Sequence, residues 1–404
     1  MTEAARAAAL GRALWLLAIG GAVIVATEFI VVGLLPILSR DLGLELAETA
    51  HLVGAFALSA AVAGPLCMLA LAGQPPRRLL AGTLLLFAAG NIASILVPDF
   101  MVLIAIRIVQ GAALPVFLGA GARVVTALAP PGRSGRALAL ANLGFAIGLV
   151  LAMPAGVALV GSGAWAPAFA VLALLALATA GLVVVGFPAV GRSSAPSIRE
   201  QLGLLARPLF VSHLLLSVAV FAAMFAAYTY IAALLGALAG LEGLSLALAL
   251  TAFGGVGLIG NAYVARIADR APLGATVACL ALLAASVLAA TRSGAGPGVV
   301  LALLVPWGAA HTAGVALCQV RVTLAGGRAP AFAMAMNIAS ANLGIALGAL
   351  AGGMVVHRWG LGSTGWATAG LALVAGGLAL VTARLAGARR DAPAQAARCA
   401  QIGA

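Results

Sequence analysis

Residues 141–148 read ANLGFAIG and residues 341–348 read ANLGIALG, six letters of eight in common at an offset of 200. Upstream, Gly111-Ala112-Ala113 and Arg123-Val124 are echoed by Gly308-Ala309-Ala310 and Arg321-Val322, at offsets of 197 and 198. Shared landmarks at nearly one spacing point to a duplicated unit rather than to chance likeness between apolar runs.

The duplicated unit is built for lipid. Of 404 residues, 64% are hydrophobic and only 8% charged, with a mean hydropathy of +1.18. That leaves too little polar side chain to cover a water-soluble globule. Apolar runs long enough to cross a bilayer as helices recur from residue 13 to residue 386. Pro, Gly and charge punctuation divide them into spans near 13–37, 50–72, 79–98, 101–127, 135–161 and 165–187, then 208–235, 243–265, 273–291, 297–320, 330–356 and 362–386. Leu14 to Leu35 exceeds a signal-peptide core and lacks a small-x-small cleavage site, so it is read as a span. The expected fold is an all-α membrane protein: a six-helix bundle over 1–187, a polar linker over 188–207, a second bundle over 208–386 and a tail over 387–404. Six spans, an even number, separate the repeat copies. Both halves therefore enter the membrane in the same direction, as a parallel repeat about an axis along the membrane normal.

All 22 basic residues are arginine. Without lysine there is no P-loop and no Schiff base, which excludes a nucleotide-driven pump and a retinal protein. With the amino terminus in the cytoplasm, eighteen arginines fall on cytoplasmic segments and helix ends, and only Arg40, Arg292 and Arg358 fall outside. That asymmetry orients both termini inward, and it explains the net charge of +12 better than a nucleic-acid surface would. The four cysteines, Cys67, Cys279, Cys318 and Cys399, show no metal-ligand or redox spacing. No HExxH, no GxSxG and no paired carboxylates suggest an enzyme, and neither metal nor cofactor is expected.

Gly144, Gly148 and Gly156 on the fifth span, and Gly344, Gly348 and Gly352 on the eleventh, recur at intervals of four or eight residues. Small residues at that spacing predict close helix seams that could also rock. Pro154 removes one backbone hydrogen bond from the fifth span. Asn142 and Asn342 are expected to bond across helices.

Over nearly its full length the chain resembles the drug/proton antiporter branch of the major facilitator superfamily, especially arabinose-efflux, purine-efflux and chloramphenicol-resistance-type permeases. The matching residues are ATEFIVVGLLP at 26–36, Arg107, Gln110 and Gly111 in an R-x-x-Q-G pattern, the glycines and Pro154 of the fifth span, Tyr228-Thr229-Tyr230-Ile231, and Asn337 to Gly353. The resemblance implies twelve transmembrane helices, proton coupling at Arg107 and efflux through an inner, cytoplasmic membrane. One departure stands out. The loop after the second span reads Gly73-Gln74-Pro75-Pro76-Arg77-Arg78, without the acidic residue of the superfamily's G-x-x-x-D-R-x-G-R-R. The matching loop of the second half keeps Arg266, Asp269 and Arg270, a candidate gate.

Glu28 is the sole acidic residue well inside a span, and burying its charge costs at least roughly 2.5–3.5 kcal/mol. At 1.5 Å per residue it lies about 13 Å, and Arg107 about 12 Å, from the outer helix ends. The two are expected to pair at one level. Burial and a neighbouring guanidinium act on a carboxyl's proton affinity in opposite senses, so a change in their separation would couple protonation to movement. Met224, Phe225, Tyr228 and Tyr230 on span seven, with His311 and Gln319 on span ten, are candidate cavity residues; His213 and His311 could also relay protons. The expected function is export of a small organic molecule (a drug, sugar or nucleobase-like compound) in exchange for protons, by a monomer in the lipid bilayer. An importer or uniporter and a non-transporting sensor are the alternatives.

Overall fold

The computed structural model describes residues 2–130, 134–141, 143–161, 163–188, 203–267, 271–292, 296–327 and 329–402. Among them every regular element is helical. The first half comprises α1 (Glu3–Leu42), α2 (Leu46–Thr49), α3 (His51–Ala70), α4 (Pro76–Leu96), α5 (Phe100–Leu128), α6 (Ser134–Ala141), α7 (Leu143–Val160) and α8 (Ala166–Gly186). The second comprises α9 (Pro208–Tyr228), α10 (Ile231–Ala239), α11 (Gly243–Ile267), α12 (Pro272–Thr291), α13 (Pro297–Gly326), α14 (Pro330–Trp359) and α15 (Thr364–Ile402). Eleven described stretches are long and apolar enough to span a membrane, and the shorter apolar helix 147–160 of the α6–α7 pass completes twelve.

Local chemistry sets the helix ends. Proline opens α4, α9, α12, α13 and α14, where its missing N–H and fixed φ cost nothing. Asp99 caps α5 by accepting from Val102 N at 3.0 Å. Gly43 and Gly240 end α1 and α10 in the left-handed conformation, at φ 65° and 66°. Arg6, on the part of α1 that precedes the apolar run, donates to the carbonyls of Leu128 and Ala129 and so caps α5.

Packing repeats between the halves. In the first, α1 packs on α7, α3 on α5 and α4 on α8; in the second, α9 packs on α14, α11 on α13 and α12 on α15. Each pair is its counterpart moved on by six passes. Across the halves α3 meets α14 and α7 meets α11, and these two contacts exchange under a two-fold axis along the bundle.

The glycines sit at these seams. A Cβ built at Gly144 would strike the carbonyl oxygen of Ala18, and one at Gly344 that of Val218. At Gly148 it would lie 2.6 Å from Ala22 O, and at Gly348 2.5 Å from Ala222 O. Gly156 lies against Ile30, and Gly352 against Ala226 and Tyr230. Gly111 approaches the Phe56 carbonyl and Gly308 the Phe253 carbonyl, again a matched pair, here at an offset of 197. Pro154 lies within α7.

Within the helices themselves the structure departs from the sequence expectations in three places. Span seven is broken at Thr229 and Tyr230. There the Thr229 hydroxyl donates to Phe225 O at 2.7 Å and the Tyr230 hydroxyl donates to Ala349 O at 3.2 Å. Asn342 bonds within its own helix, to Ile338 O at 3.0 Å, rather than across a seam. Arg321, counted with the cytoplasmic arginines, is 1% exposed inside α13, beside His213 Nδ1 and Cys318 Sγ. Asp269, Arg270, Asn142 and linker residues 189–202 lie outside the described residues, as does the side chain of Arg266.

Candidate functional site

Three helices of the first half build a buried polar network around Arg107. Its guanidinium donates to two successive carbonyls of α1, Thr27 O at 2.8 Å and Glu28 O at 3.1 Å. A carbonyl already bonded within a helix keeps a second lone pair, and the planar fork spans two of them. The other face of the guanidinium lies 5.4 Å from the centroid of the Phe56 ring on α3. Arg107 also reaches Gln110 Oε1 at 3.5 Å. Gln110 donates to Phe87 O at 3.3 Å and to Asn91 Oδ1 at 3.4 Å, and Asn91 donates to the Thr27 hydroxyl at 3.3 Å. Thr27 and Asn91, both fully buried, were missed in the sequence. A lone amide in an otherwise apolar third span was the available signal, because an intramembrane amide needs partners.

The expected Glu28–Arg107 ion pair takes a different form. Among the described residues the salt bridges are Arg40–Asp41 and His357–Glu45. Arg107 meets residue 28 through its backbone and acts on the Glu28 carboxyl, 7% exposed, electrostatically through space. The fork binds α1 to α5, and the carboxyl is left without a hydrogen bond from any described residue. Arg107→Lys, a point charge that serves one carbonyl rather than two, should destabilise the protein by roughly 1–2 kcal/mol. Thermal unfolding in detergent beside the unchanged protein measures this.

The bundle is open at one end and shut at the other. A cavity of ≈ 870 Å³, open volume at its mouth included, lies at the end that carries the amino terminus. Its wall includes Pro65 and Met68 of α3, Phe117 of α5, Phe145 of α7 and Met334 of α14, so both halves contribute. Every lining side chain is apolar. Glu28 lies eleven residues along α1 from Leu17 on that wall, about 16 Å at helical rise.

The second-half candidates are not on this wall. Phe225, Tyr228 and His311 pack with Phe253 and Trp307 into an aromatic cluster, with Tyr228 and His311 ring centroids 4.2 Å apart. Phe29 of α1 joins it through Phe225 at 5.9 Å, so the cluster crosses between halves. Met224 and Tyr230 are likewise buried, and Gln319 is partly exposed on α13. Ring edges and faces pack against one another here, and Met224 lines a separate small cavity. Among the described residues, the His311 Nδ1 and Trp307 Nε1 have no hydrogen-bond partner.

At the shut end, Glu45 before α2 accepts from His357 Nδ1 of α14 at 2.6 Å, joining the halves. Both side chains are more than half exposed, so the pair should contribute no more than about 1 kcal/mol. A double-mutant cycle of Glu45→Gln and His357→Ala, read as opening of this end by spin-label distances, should return a coupling within that limit.

A sequence profile of the Major Facilitator Superfamily matches residues 17–330. The chain is 33% identical over 373 residues to the inner membrane transport protein YdhP of Escherichia coli O157:H7, covering 89% of this chain and 93% of that one. It is 31% identical over 368 residues to a chloramphenicol resistance protein of Streptomyces lividans, covering 90% and 94%. Among solved structures, a bacterial homologue of the human lysosomal transporter Spinster superposes with a TM-score of 0.78 at 14% identity, covering 95% and 98%. The parallel repeat, the seams shared by both halves and these likenesses agree: the chain belongs to the major facilitator superfamily, as a multi-pass membrane transporter and not an enzyme.

Proposed function

We propose that this transporter exports a small, largely apolar organic molecule in exchange for protons, alternating access between the two faces of the membrane as a monomer with both termini in the cytoplasm. The observation that carries the reading is Glu28: a buried carboxyl beside a fixed guanidinium, with no hydrogen bond from a described residue to hold it in one protonation state. A proton taken up there removes a charge from the α1–α5 interface, which changes the balance between the conformations that interface permits. The substrate class follows from the cavity wall. Met68, Met334, Phe117 and Phe145 offer polarisable, adaptable surface and no hydrogen-bonding side chain, which suits a flat apolar compound better than a sugar.

In this orientation the open cavity faces the cytoplasm, where cargo for export is loaded. Purified protein in proteoliposomes tests the reading with chloramphenicol, suggested by the Streptomyces relative, beside a hexose and a nucleobase. An imposed pH gradient should drive accumulation of the apolar compound against its concentration gradient, and reversing the gradient should reverse the flux. Flux that ignores the pH gradient would indicate a uniporter. Movement of drug and proton in the same direction would indicate an importer.

A further inference from the structure

Charge bias leaves three arginines on the face opposite the termini: Arg40, Arg292 and Arg358. Arg40 is held by Asp41 and the Gly163 carbonyl. Arg358 lines one groove, and Arg292 adjoins it through the Trp366 ring. The end of α14 and the start of α15 enclose ≈ 1050 Å³ there, open volume included, with Arg358, Trp359 and Trp366 at the rim and Ala351, Met354 and Gly370 below. Arg292 lies over the Trp366 ring at 5.8 Å from its centroid. Arg358 has no hydrogen bond or ion pair among the described residues. Of the acids of this face, Glu45 bonds to His357, Glu48 to the backbone N–H of Glu45, Asp41 to Arg40 and Asp99 to the backbone N–H of Val102, and Glu242 pairs with neither Arg292 nor Arg358 among the described residues.

We propose that this groove seats an anionic phospholipid, its phosphate between Arg358 and Arg292 and one acyl chain running along Met354, Ala351 and Gly370. Charge complementarity selects the occupant. Two guanidiniums without carboxylate partners among the described residues call for an anion, and the groove beside Arg358 is largely apolar, with His357 its other polar lining side chain. Trp359 and Trp366, 66% and 60% exposed, have the amphipathic rings that settle at headgroup depth. The small residues Ala351 and Gly370 leave room for a chain between the helices.

Native mass spectrometry of the full chain in detergent, with phosphatidylglycerol or phosphatidylcholine added, tests this. The unchanged protein should retain phosphatidylglycerol preferentially. Arg358→Gln should lower its retention about fivefold and Arg292→Gln/Arg358→Gln further, each guanidinium acting on the phosphate. Arg40→Gln, on the same face but already partnered, should leave retention unchanged. Should the double variant not purify, Arg358→Gln alone decides. Equal retention of the two lipids by the unchanged protein would overturn the proposal, and so would phosphatidylglycerol retention indifferent to Arg358.

Discussion

Glu28→Gln should abolish proton-driven accumulation while leaving downhill movement of substrate intact. One pH unit stores about 1.4 kcal/mol, a tenfold concentration ratio for one-for-one exchange. Reconstituted native protein should therefore approach about tenfold accumulation under that gradient, and the variant about onefold. Glutamine keeps the shape of the side chain and removes only its capacity to bind and release the proton. The substitution also relieves the cost of a buried carboxylate, so thermal stability should hold or rise. A variant that still accumulates substrate against its gradient would place the proton site elsewhere, with His311, buried and with no partner for its Nδ1 among the described residues, the next candidate.

The second large effect concerns packing. Gly144→Ala puts a methyl group against the Ala18 carbonyl, which belongs to backbone and cannot swing aside. Overpacking of that kind costs about 1–3 kcal/mol and at times more. Gly181→Ala supplies the control: it lies in α8 with nothing within 4 Å of the added carbon, so its effect should stay within about 0.5 kcal/mol. Melting temperatures and detergent-soluble yields of the two variants compare them directly. Gly344→Ala should behave as Gly144→Ala does, because Val218 stands to Gly344 as Ala18 stands to Gly144. Equal melting of Gly144→Ala and Gly181→Ala would mean that α1 and α7 are not as closely packed as described.

The fold was readable because lipid imposes a simple grammar: long apolar runs, short polar connections and arginine on one side. Duplication added the arrangement of halves, and the glycines of the repeated string mark the seams where backbones touch. The site was readable only in part. Glu28 and Arg107 are conspicuous because charge inside a span is costly, and helical rise put them at one depth. Which atoms meet is a matter of reach: a fork that finds two carbonyls on the near face of α1 takes them in place of a carboxylate. Asn91 and Thr27 were passed over because single polar residues in apolar spans carry no periodic signal. Phe225, Tyr228 and His311 are legible as a group, but Phe29, Phe253 and Trp307, which complete their cluster, are not, because aromatic residues scattered over several apolar spans carry no sign of which ones meet.

α1 runs unbroken from Glu3 to Leu42, whereas its copy stops at Tyr228 and restarts at Ile231. Ala22 and Ala222, each under its seam glycine, stand 200 residues apart, while Gly43 and Gly240, which end the two passes, stand 197 apart. The second copy is thus three residues short between these markers. At about 100° per residue, a continuous helix would present its far end turned by roughly 60° from the original. An interruption at Thr229 and Tyr230 lets that end be re-aimed. One half therefore carries a continuous helix, with Pro36 its one internal proline, where the other carries an interrupted one, and the twin bundles, alike in pairing, differ in where they can bend.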